Sequence, residues 1–202
     1  MSNQTYDYST RNGIMPISWE DFHGLCKSLV KGVSLFQPEI VLPIGRGGFY
    51  PGTLIAHMLR LEMYPVRLSR RVNDIVKHKS PQWLMRVPAI VACRRVLIVD
   101  EICASGETIS MVKDEAARLG ATEVKSAVLY AHTWGTDIPD YIGLISDALL
   151  LNPWDREILK DGEFQLNPEY VDALALQGIG AEASLLIEAP TFTLAKTTRA
   201  DQ

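Results

Sequence analysis

The segment Arg95 to Asp100, with the sequence RVLIVD, constrains the fold more than any other part of the chain. Four consecutive apolar residues between charged ones are typical of a strand buried on both faces, as in parallel sheets covered by helices. A loop from Glu101 to Glu107 follows, and then apolar residues recur at helical spacing until Gly120 ends the helix. A strand, a loop and a helix in this order predict an α/β protein with a parallel sheet.

Further segments continue the alternation of strands and helices, while two segments show no clear period. Residues 1–16 are expected to form a loose arm, and residues 70–93 a mobile loop or a hairpin. The other expected elements are a helix with a capping box at Ser18 and Asp21 that Gln37-Pro38 ends, a strand over 39–44 with Pro43 at its end, a helix from about Pro51, strands at 64–68, 124–131 and 148–151, and a short helix over 168–176.

The composition is that of one globular domain, with 202 residues of which 47% are hydrophobic and 22% charged. There is no run of 18 uncharged apolar residues and no apolar region in the first ten residues, so we expect neither a membrane helix nor a signal peptide. Cys26, Cys93 and Cys103 are too widely spaced for a disulfide framework or a zinc site. Their spacing favours a reducing, cytoplasmic setting.

Positive charge is concentrated in one part of an acidic chain. The net charge is −4, but residues 64–99 carry eight cations and one acid, Asp74, which leaves −11 for the rest. A local basic block of this kind favours a single anionic ligand over nucleic acid. A solvated surface loop explains the same charges equally well.

The end of the RVLIVD strand carries the residue types that a sugar phosphate requires. Small residues allow a phosphate to approach the backbone, and the first N–H groups of a helix are free to bind it. Two carboxylates at the end of a strand can accept bonds from ribose hydroxyls, directly or through Mg²⁺. These residues are the acids Asp100 and Glu101, the small residues Ala104, Ser105 and Gly106, and the hydroxyl donors Ser105 and Thr108. A tight turn with an acidic N-cap is the alternative.

Three segments resemble the type I phosphoribosyltransferases, nearest to the xanthine-guanine and hypoxanthine subgroup. VLIVDEICASGET, residues 96–108, is similar to their signature for phosphoribosyl pyrophosphate. VLPIGRGGFYPGTLIA, residues 41–56, resembles their pyrophosphate loop and the helix after it. An ordinary glycine turn would have the same sequence pattern. DYIGLISDALLLNPWD, residues 140–155, is similar to their base-binding hood segment. An apolar core strand that ends at Pro-Trp would have the same pattern. The resemblance covers residues 18–155.

This resemblance implies a parallel β-sheet flanked by helices, with a small hood built from the terminal regions. It divides the chain into an N-terminal arm and helix over 1–37, a core over 38–146, and a C-terminal hood segment and tail over 147–202. The implied reaction transfers ribose 5-phosphate from phosphoribosyl pyrophosphate to a nucleobase, with a purine-type base favoured and Mg²⁺ as cofactor. A homodimer is implied, without a membrane or nucleic-acid partner. A regulatory protein that binds phosphoribosyl pyrophosphate or a nucleotide is the alternative.

The resemblance also assigns roles to individual residues. Asp100, Glu101 and Arg46 would be catalytic, with Asp100 and Glu101 holding the metal. A strained peptide, of which a cis bond is one form, is implied near Gly45-Arg46. The binding residues would be Cys103, Ala104, Ser105, Gly106, Glu107 and Thr108 for the phosphoribosyl group, Gly45, Arg46, Gly47, Gly48, Lys77 and Lys79 for pyrophosphate, with Arg86 a further candidate, and His132, Leu149, Leu150, Trp154 and Asp155 for the base.

The base-binding positions depart from the pattern of 6-oxopurine enzymes. Those enzymes usually have an Asp where this chain has Ala104, a Lys where it has His132, and an aromatic residue where it has Leu149. His132 could bond a base edge or be a structural histidine, and Asp155 could bond a ring N–H or cap a turn. The sequence therefore predicts an intact sugar-phosphate half of the site and an altered base half.

Overall fold

The computed structural model describes residues 11–72, 75–180 and 185–186. The expectations for residues 1–10 of the arm and for most of the tail after residue 180 lie outside these ranges. None of the helices in the described ranges has the length and apolar character required to cross a membrane. The elements in chain order are strand β1 (Ile14–Pro16), helix α1 (Trp19–Val33), β2 (Ile40–Gly45), α2 (Phe49–Leu59), β3 (Glu62–Met63), β4 (Val66–Ser69), β5 (Arg71–Val72), β6 (Ile75–Val76), β7 (Gln82–Met85), β8 (Arg95–Cys103), α3 (Glu107–Arg118), β9 (Glu123–Ala131), β10 (Tyr141–Ile145), β11 (Leu149–Leu151), β12 (Glu157–Lys160), β13 (Glu163–Leu166) and α4 (Pro168–Leu176), with 3₁₀ turns at Ser34–Phe36, Ala89–Val91 and Thr133–Gly135.

The central sheet has the strand order β10-β9-β8-β2-β4-β7, and β3 also pairs with β2. All of its pairs are parallel except β4 with β7. This confirms the predicted α/β class. The predicted strand at 95–100 is β8, which lies between β2 and β9 and extends three residues further than expected, to Cys103. Asp100 was predicted as the last residue of the strand, and Glu101, predicted in the following loop, lies within the strand as well.

The side chains of β8 alternate between two cores, one on each face of the sheet. Leu97 and Val99 pack in the core that includes α1 and α2. Val96 and Ile98 pack in the core on the side of α3. All four are fully buried, and burying each such side chain contributes about 1.5–3 kcal/mol. A strand buried on both faces explains the continuous apolar run that identified it in the sequence.

The helix predicted after Ser18 begins with the expected capping box. The Ser18 hydroxyl accepts from the Asp21 N–H at 3.0 Å, and an Asp21 carboxylate oxygen accepts from the Ser18 N–H at 3.0 Å. The helix ends at Val33, earlier than Gln37-Pro38, because a 3₁₀ turn intervenes. The predicted bounds of α4, 168–176, are confirmed.

Pro43 lies inside β2 and not at its end, contrary to the prediction. On one side of β2, Ile40 and Val41 pair with β3, while Ile44 and Gly45 pair with β4. Pro43 lies in the gap between these two short partners. A residue without an N–H is accommodated there, because neither β3 nor β4 pairs with it on that side.

The hood consists of β1, β11 and α4. The strand β1 pairs in parallel with β11, so residues 14–16 do not form the loose arm that the sequence predicted. The predicted strand at 148–151 is β11, which lies outside the central sheet. α4 covers β11 through Tyr170, Ala173 and Leu174. The arm is ordered here because β11 supplies the backbone partners that its own sequence does not.

Besides the two-residue strand β3, one strand and one hairpin were not predicted. One is β10, at an edge of the central sheet. The other is the β12–β13 hairpin, which turns through Asp161 and Gly162 with positive φ angles of 53° and 87°. Asp161-Gly162 lies between Lys160 and Glu163, with the apolar Leu159 and Phe164 next to them, and an Asp-Gly pair in such a setting is a known hairpin signal that could have identified this turn.

Candidate active site

The signature segment folds as a strand, a short loop and a helix at the carboxyl end of the central strand. Ala104 and Ser105 are exposed, and α3 begins at Glu107 with Gly106 as its N-cap. Gly106 has φ 72°, and Ile138 packs against it so closely that a Cβ would overlap. The N-cap offers no side chain to the first N–H groups of the helix. These groups can therefore bind a phosphate.

The remaining phosphoribosyl-binding candidates surround this turn. Glu107 and Thr108 are half-buried in the first turn of α3. Cys103 is buried, and its burial raises the pKa of the thiol, to which the negative charge of Asp100 adds. A raised pKa keeps the Cys103 thiol protonated, so the side chain acts as a packing group. The sequence analysis gave it no catalytic role.

The acid pair is desolvated at the end of β8. Burial raises the pKa of Asp100 to about 7 and that of Glu101 to about 8, and for Glu101 the charges of Asp155 and Asp100 add to the effect. Asp100 accepts a hydrogen bond from the Glu101 backbone N–H at 2.8 Å. Carboxylates in such surroundings are stabilised by a cation or by hydroxyl donors.

The pyrophosphate loop is built against the acid pair. The peptide Gly45-Arg46 is cis, which is one form of the unusual peptide that the sequence implied. A Cβ at Gly47 would overlap the carboxylate of Glu101, and a Cβ at Gly48 would lie 2.7 Å from the Val99 carbonyl oxygen. Only glycines allow the loop to approach β8 this closely. Arg46 is exposed at the start of the loop.

A buried asparagine also reaches the acid pair, and the sequence analysis did not identify it. Asn152, directly after β11, is 3% exposed and donates from Nδ2 to Oε1 of Glu101. Its Oδ1 accepts from the hydroxyl of Tyr130, on β9, at 3.0 Å. The residue lies in the segment that resembles a base-binding hood, but no local pattern indicates its partner.

The basic segment 70–93 has more structure than a loop. Its β5 and β6 form a hairpin, and β7 pairs with β4. Lys77 and Lys79 are exposed beyond β6. Arg86 lies 3.3 Å from the Glu115 carboxylate on α3, and 65% of its side chain is exposed.

The other end of this segment is attached to the hood. The guanidinium of Arg71 makes two hydrogen bonds to Glu169, at 3.0 and 2.5 Å. Since Arg71 lies at the start of the hairpin and Glu169 in the first turn of α4, the pair fixes the base of the hairpin.

His132 is the base-binding candidate with the most informative surroundings. It is 1% exposed, its Nδ1 lies 2.9 Å from the Ser146 carbonyl oxygen, and Trp134 stacks on the ring at 4.6 Å. A carbonyl can only accept, so Nδ1 carries the proton and Nε2 has the lone pair. Nε2 is buried without a partner among the described residues. Burial and the charge of Arg11 lower the pKa of His132, which favours this neutral form.

The remaining base candidates are divided between the hood and its border with the sheet. Leu149 is buried against α4, and Leu150 is buried in the core of the sheet face that α1 and α2 cover. Trp154 stacks on Tyr50 at 4.7 Å and meets the edge of Phe22 at 4.9 Å. These contacts account for the three apolar side chains as packing residues and leave little of Leu149 and Leu150 for a ligand. Asp155 is exposed near Glu101.

The described residues contain no group of three or more His, Cys, Asp or Glu side chains arranged to hold a metal ion. A pair of carboxylates is nevertheless enough for Mg²⁺ that binds together with a phosphate-bearing substrate. Mg²⁺ usually takes one or two protein carboxylates and completes its coordination with water and substrate phosphates. Asp100 and Glu101 supply such a pair, and burial raises the pKa of each carboxyl, so a bound cation would favour their charged forms.

Comparison with known proteins agrees with this geometry. The Phosphoribosyl transferase domain family matches residues 20–153. An adenine phosphoribosyltransferase of Synechococcus sp. is 26% identical over 52% of this chain and 62% of its own length. A hypoxanthine-guanine phosphoribosyltransferase of Saccharomyces cerevisiae is 24% identical over 54% of this chain and 58% of its own length. The chain thus spans about three fifths of these relatives.

Solved structures share the fold. The purine phosphoribosyltransferase of Pyrococcus horikoshii superposes with a TM-score of 0.65 at 22% identity, over 74% of this chain and 99% of its own. At this identity the likeness establishes the architecture of the sheet and its helices.

Proposed function

Because the chain belongs to the phosphoribosyl transferase domain family, we propose that it transfers ribose 5-phosphate from phosphoribosyl pyrophosphate to a purine-type base and releases pyrophosphate. The observation that carries the proposal is the contact between Gly47 and the carboxylate of Glu101. It brings a loop suited to pyrophosphate beside acids suited to ribose. The two groups are neighbours in one substrate.

The chain's residues divide the substrate between them. The N-terminus of α3 and the hydroxyl of Ser105 would bind the 5′-phosphate, while Asp100 and Glu101 would accept from the ribose hydroxyls. Arg46 would neutralise the leaving pyrophosphate as the bond to C1′ breaks and the base nitrogen forms its bond there. Positioning and charge neutralisation are the main catalytic contributions in such a displacement through an oxocarbenium-like state.

Mg²⁺ is the proposed cofactor, with Asp100 and Glu101 as its protein ligands. When bound, it would balance the charge of the pyrophosphate group. Lys77 and Lys79, exposed on the basic segment, are proposed to reach the pyrophosphate from the solvent side.

The double variant Asp100→Asn, Glu101→Gln tests the acid pair. It should nearly abolish pyrophosphate release and weaken calorimetric binding of Mg²⁺–phosphoribosyl pyrophosphate at least about tenfold, because charged acceptors are lost. The matched control, Asp161→Asn with Glu163→Gln, makes the same chemical changes on the exposed β12–β13 hairpin and should leave both unchanged. Unchanged binding in the site variant would overturn the assignment.

A regulatory role is the second candidate, favoured by the altered base half at Ala104, His132 and Leu149. A regulator would bind phosphoribosyl pyrophosphate or a nucleotide without turning it over. A screen of purine and pyrimidine bases for pyrophosphate release separates the two functions. Binding of phosphoribosyl pyrophosphate without release for any base would favour the regulator, and release with one base would establish the enzyme.

A further inference from the structure

A buried amide joins the hood to the acid pair. Asn152 is the residue after β11, and its Nδ2 donates to Oε1 of Glu101. The amide cannot rotate freely, because its Oδ1 accepts from the Tyr130 hydroxyl at 3.0 Å. Asn152 is 3% exposed and Tyr130 is fully buried, so water does not compete for these bonds. The amide nitrogen is the donor and Oε1 the acceptor, which places the nitrogen on the side of Glu101 and the amide oxygen on the side of Tyr130.

The amide determines which way the Glu101 carboxylate faces. One oxygen, Oε1, is engaged by Asn152, and the other, Oε2, lies against Gly47 of the pyrophosphate loop. The carboxylate is thus held between the hood and the loop. Without the amide, repulsion from Asp155 and Asp100 would act on a group with no fixed partner.

We propose that Asn152 is a positioning residue for Glu101, and that the Tyr130 hydroxyl fixes the orientation of the Asn152 amide. The proposal rests on the proposed function, since the direction of Glu101 matters when ribose or Mg²⁺ binds there. Asn152 itself need not touch the substrate. Its effect on ligand binding passes through the carboxylate, and this separates positioning from general support of the hood.

A mutant cycle on ligand affinity tests this dependence. Asn152→Ala should weaken calorimetric binding of Mg²⁺–phosphoribosyl pyrophosphate about tenfold in the wild-type background, because hydrogen bonds to charged groups are strong. In a Glu101→Ala background the same substitution should have less than about a twofold effect, since there is no carboxylate to orient. An equal loss in both backgrounds, or no loss in the wild type, would overturn the proposal.

Tyr130→Phe is the milder variant, because it removes one hydroxyl and keeps the buried ring. It should weaken the same binding about fivefold, the loss expected for one neutral hydrogen bond. Arg156→Met is the matched control: Arg156 bonds the carbonyl oxygens of Ile17 and Leu151 in the hood, at 2.8 and 3.2 Å, without contact to Glu101. Its effect on affinity should be the same with and without the Glu101→Ala change. A Tyr130→Phe protein with wild-type affinity would count against the proposed role of the Tyr130 hydroxyl in orienting the Asn152 amide.

The ligand-free protein gives a readout that does not depend on the proposed function. Asn152→Ala should lower the melting temperature more in the wild type than in the Glu101→Ala background, because only the former leaves a desolvated carboxylate without its donor. A protein that binds no phosphoribosyl pyrophosphate but shows this difference would refute the proposed function and keep the contact. Equal shifts would refute the contact itself.

Discussion

We expect the choice of base to depend on the tautomer of His132. In 6-oxopurine relatives a lysine at this position would donate to the oxo group, whereas here Nδ1 donates to the Ser146 carbonyl and Nε2 can only accept. A 6-oxo group is also an acceptor, so no proton would be available for a hydrogen bond between it and Nε2 of His132. A 6-amino group can donate to Nε2. We therefore expect adenine to be used better than guanine, xanthine or hypoxanthine.

The magnitude can be worked out from the burial of the site. His132 is 1% exposed, so a base bonded to Nε2 would lie out of contact with water, and water could not complete an unpaired group. Leaving one buried polar group unpaired costs about 1–3 kcal/mol, roughly ten- to a hundredfold in affinity. Ala104 offers no side-chain partner to N7, but adenine and the 6-oxopurines all carry N7, so the expected preference comes from His132.

Initial rates of pyrophosphate release at saturating Mg²⁺–phosphoribosyl pyrophosphate measure this preference. The double variant Ala104→Asp, His132→Lys should improve the use of hypoxanthine and guanine more than either single variant, because the two groups bond adjacent edges of one ring. The rate with adenine is the control and should not rise, because a lysine ammonium has no lone pair to accept from a 6-amino group. Wild-type kcat/KM for guanine or hypoxanthine near about 10⁵ M⁻¹s⁻¹, ordinary for an enzyme on its own substrate, would refute the reasoning.

Three further predictions concern the loops and the first helix. Arg46→Ala should weaken calorimetric binding of pyrophosphate more than that of a nucleoside monophosphate, since in the proposed site only pyrophosphate lies at that loop; equal losses would contradict the assignment. Hydrogen exchange in residues 75–93 should slow when both substrates bind, because a basic segment gains contacts from the anion, and unchanged exchange would rule out closure over the site. Ser18→Ala should lower stability by about 1 kcal/mol and the melting temperature by about 2–4 °C through loss of the capping box, while Ser28→Ala on the exposed face of the same helix should not.

Local sequence patterns were sufficient for the parts of the fold that depend on local chemistry. The buried strand β8, the capping box at Ser18 and the bounds of α4 each depend on residues within one element, and all three were predicted. β1 was not, because three residues of an arm become a strand only when β11 lies beside them. The prediction that Pro43 ends its strand was wrong for a similar reason. Pro43 can lie inside β2 because the two short strands that pair with β2 on one side leave a gap beside it.

The same distinction separates the two halves of the candidate site. The acid pair and the glycine loop follow β8 and β2, and parallel neighbours end at one edge of a sheet, so their meeting could be inferred from sequence order alone. The surroundings of His132 and Glu101 could not, because Ser146 and Asn152 reach them from segments 14 and 51 residues away in the chain. Such contacts can change with one substitution in the hood while the loop and strand ends stay the same. The sequence therefore predicts where the strand ends and the glycine loop meet, while the partners of His132 and Glu101 become visible only when the hood is in place.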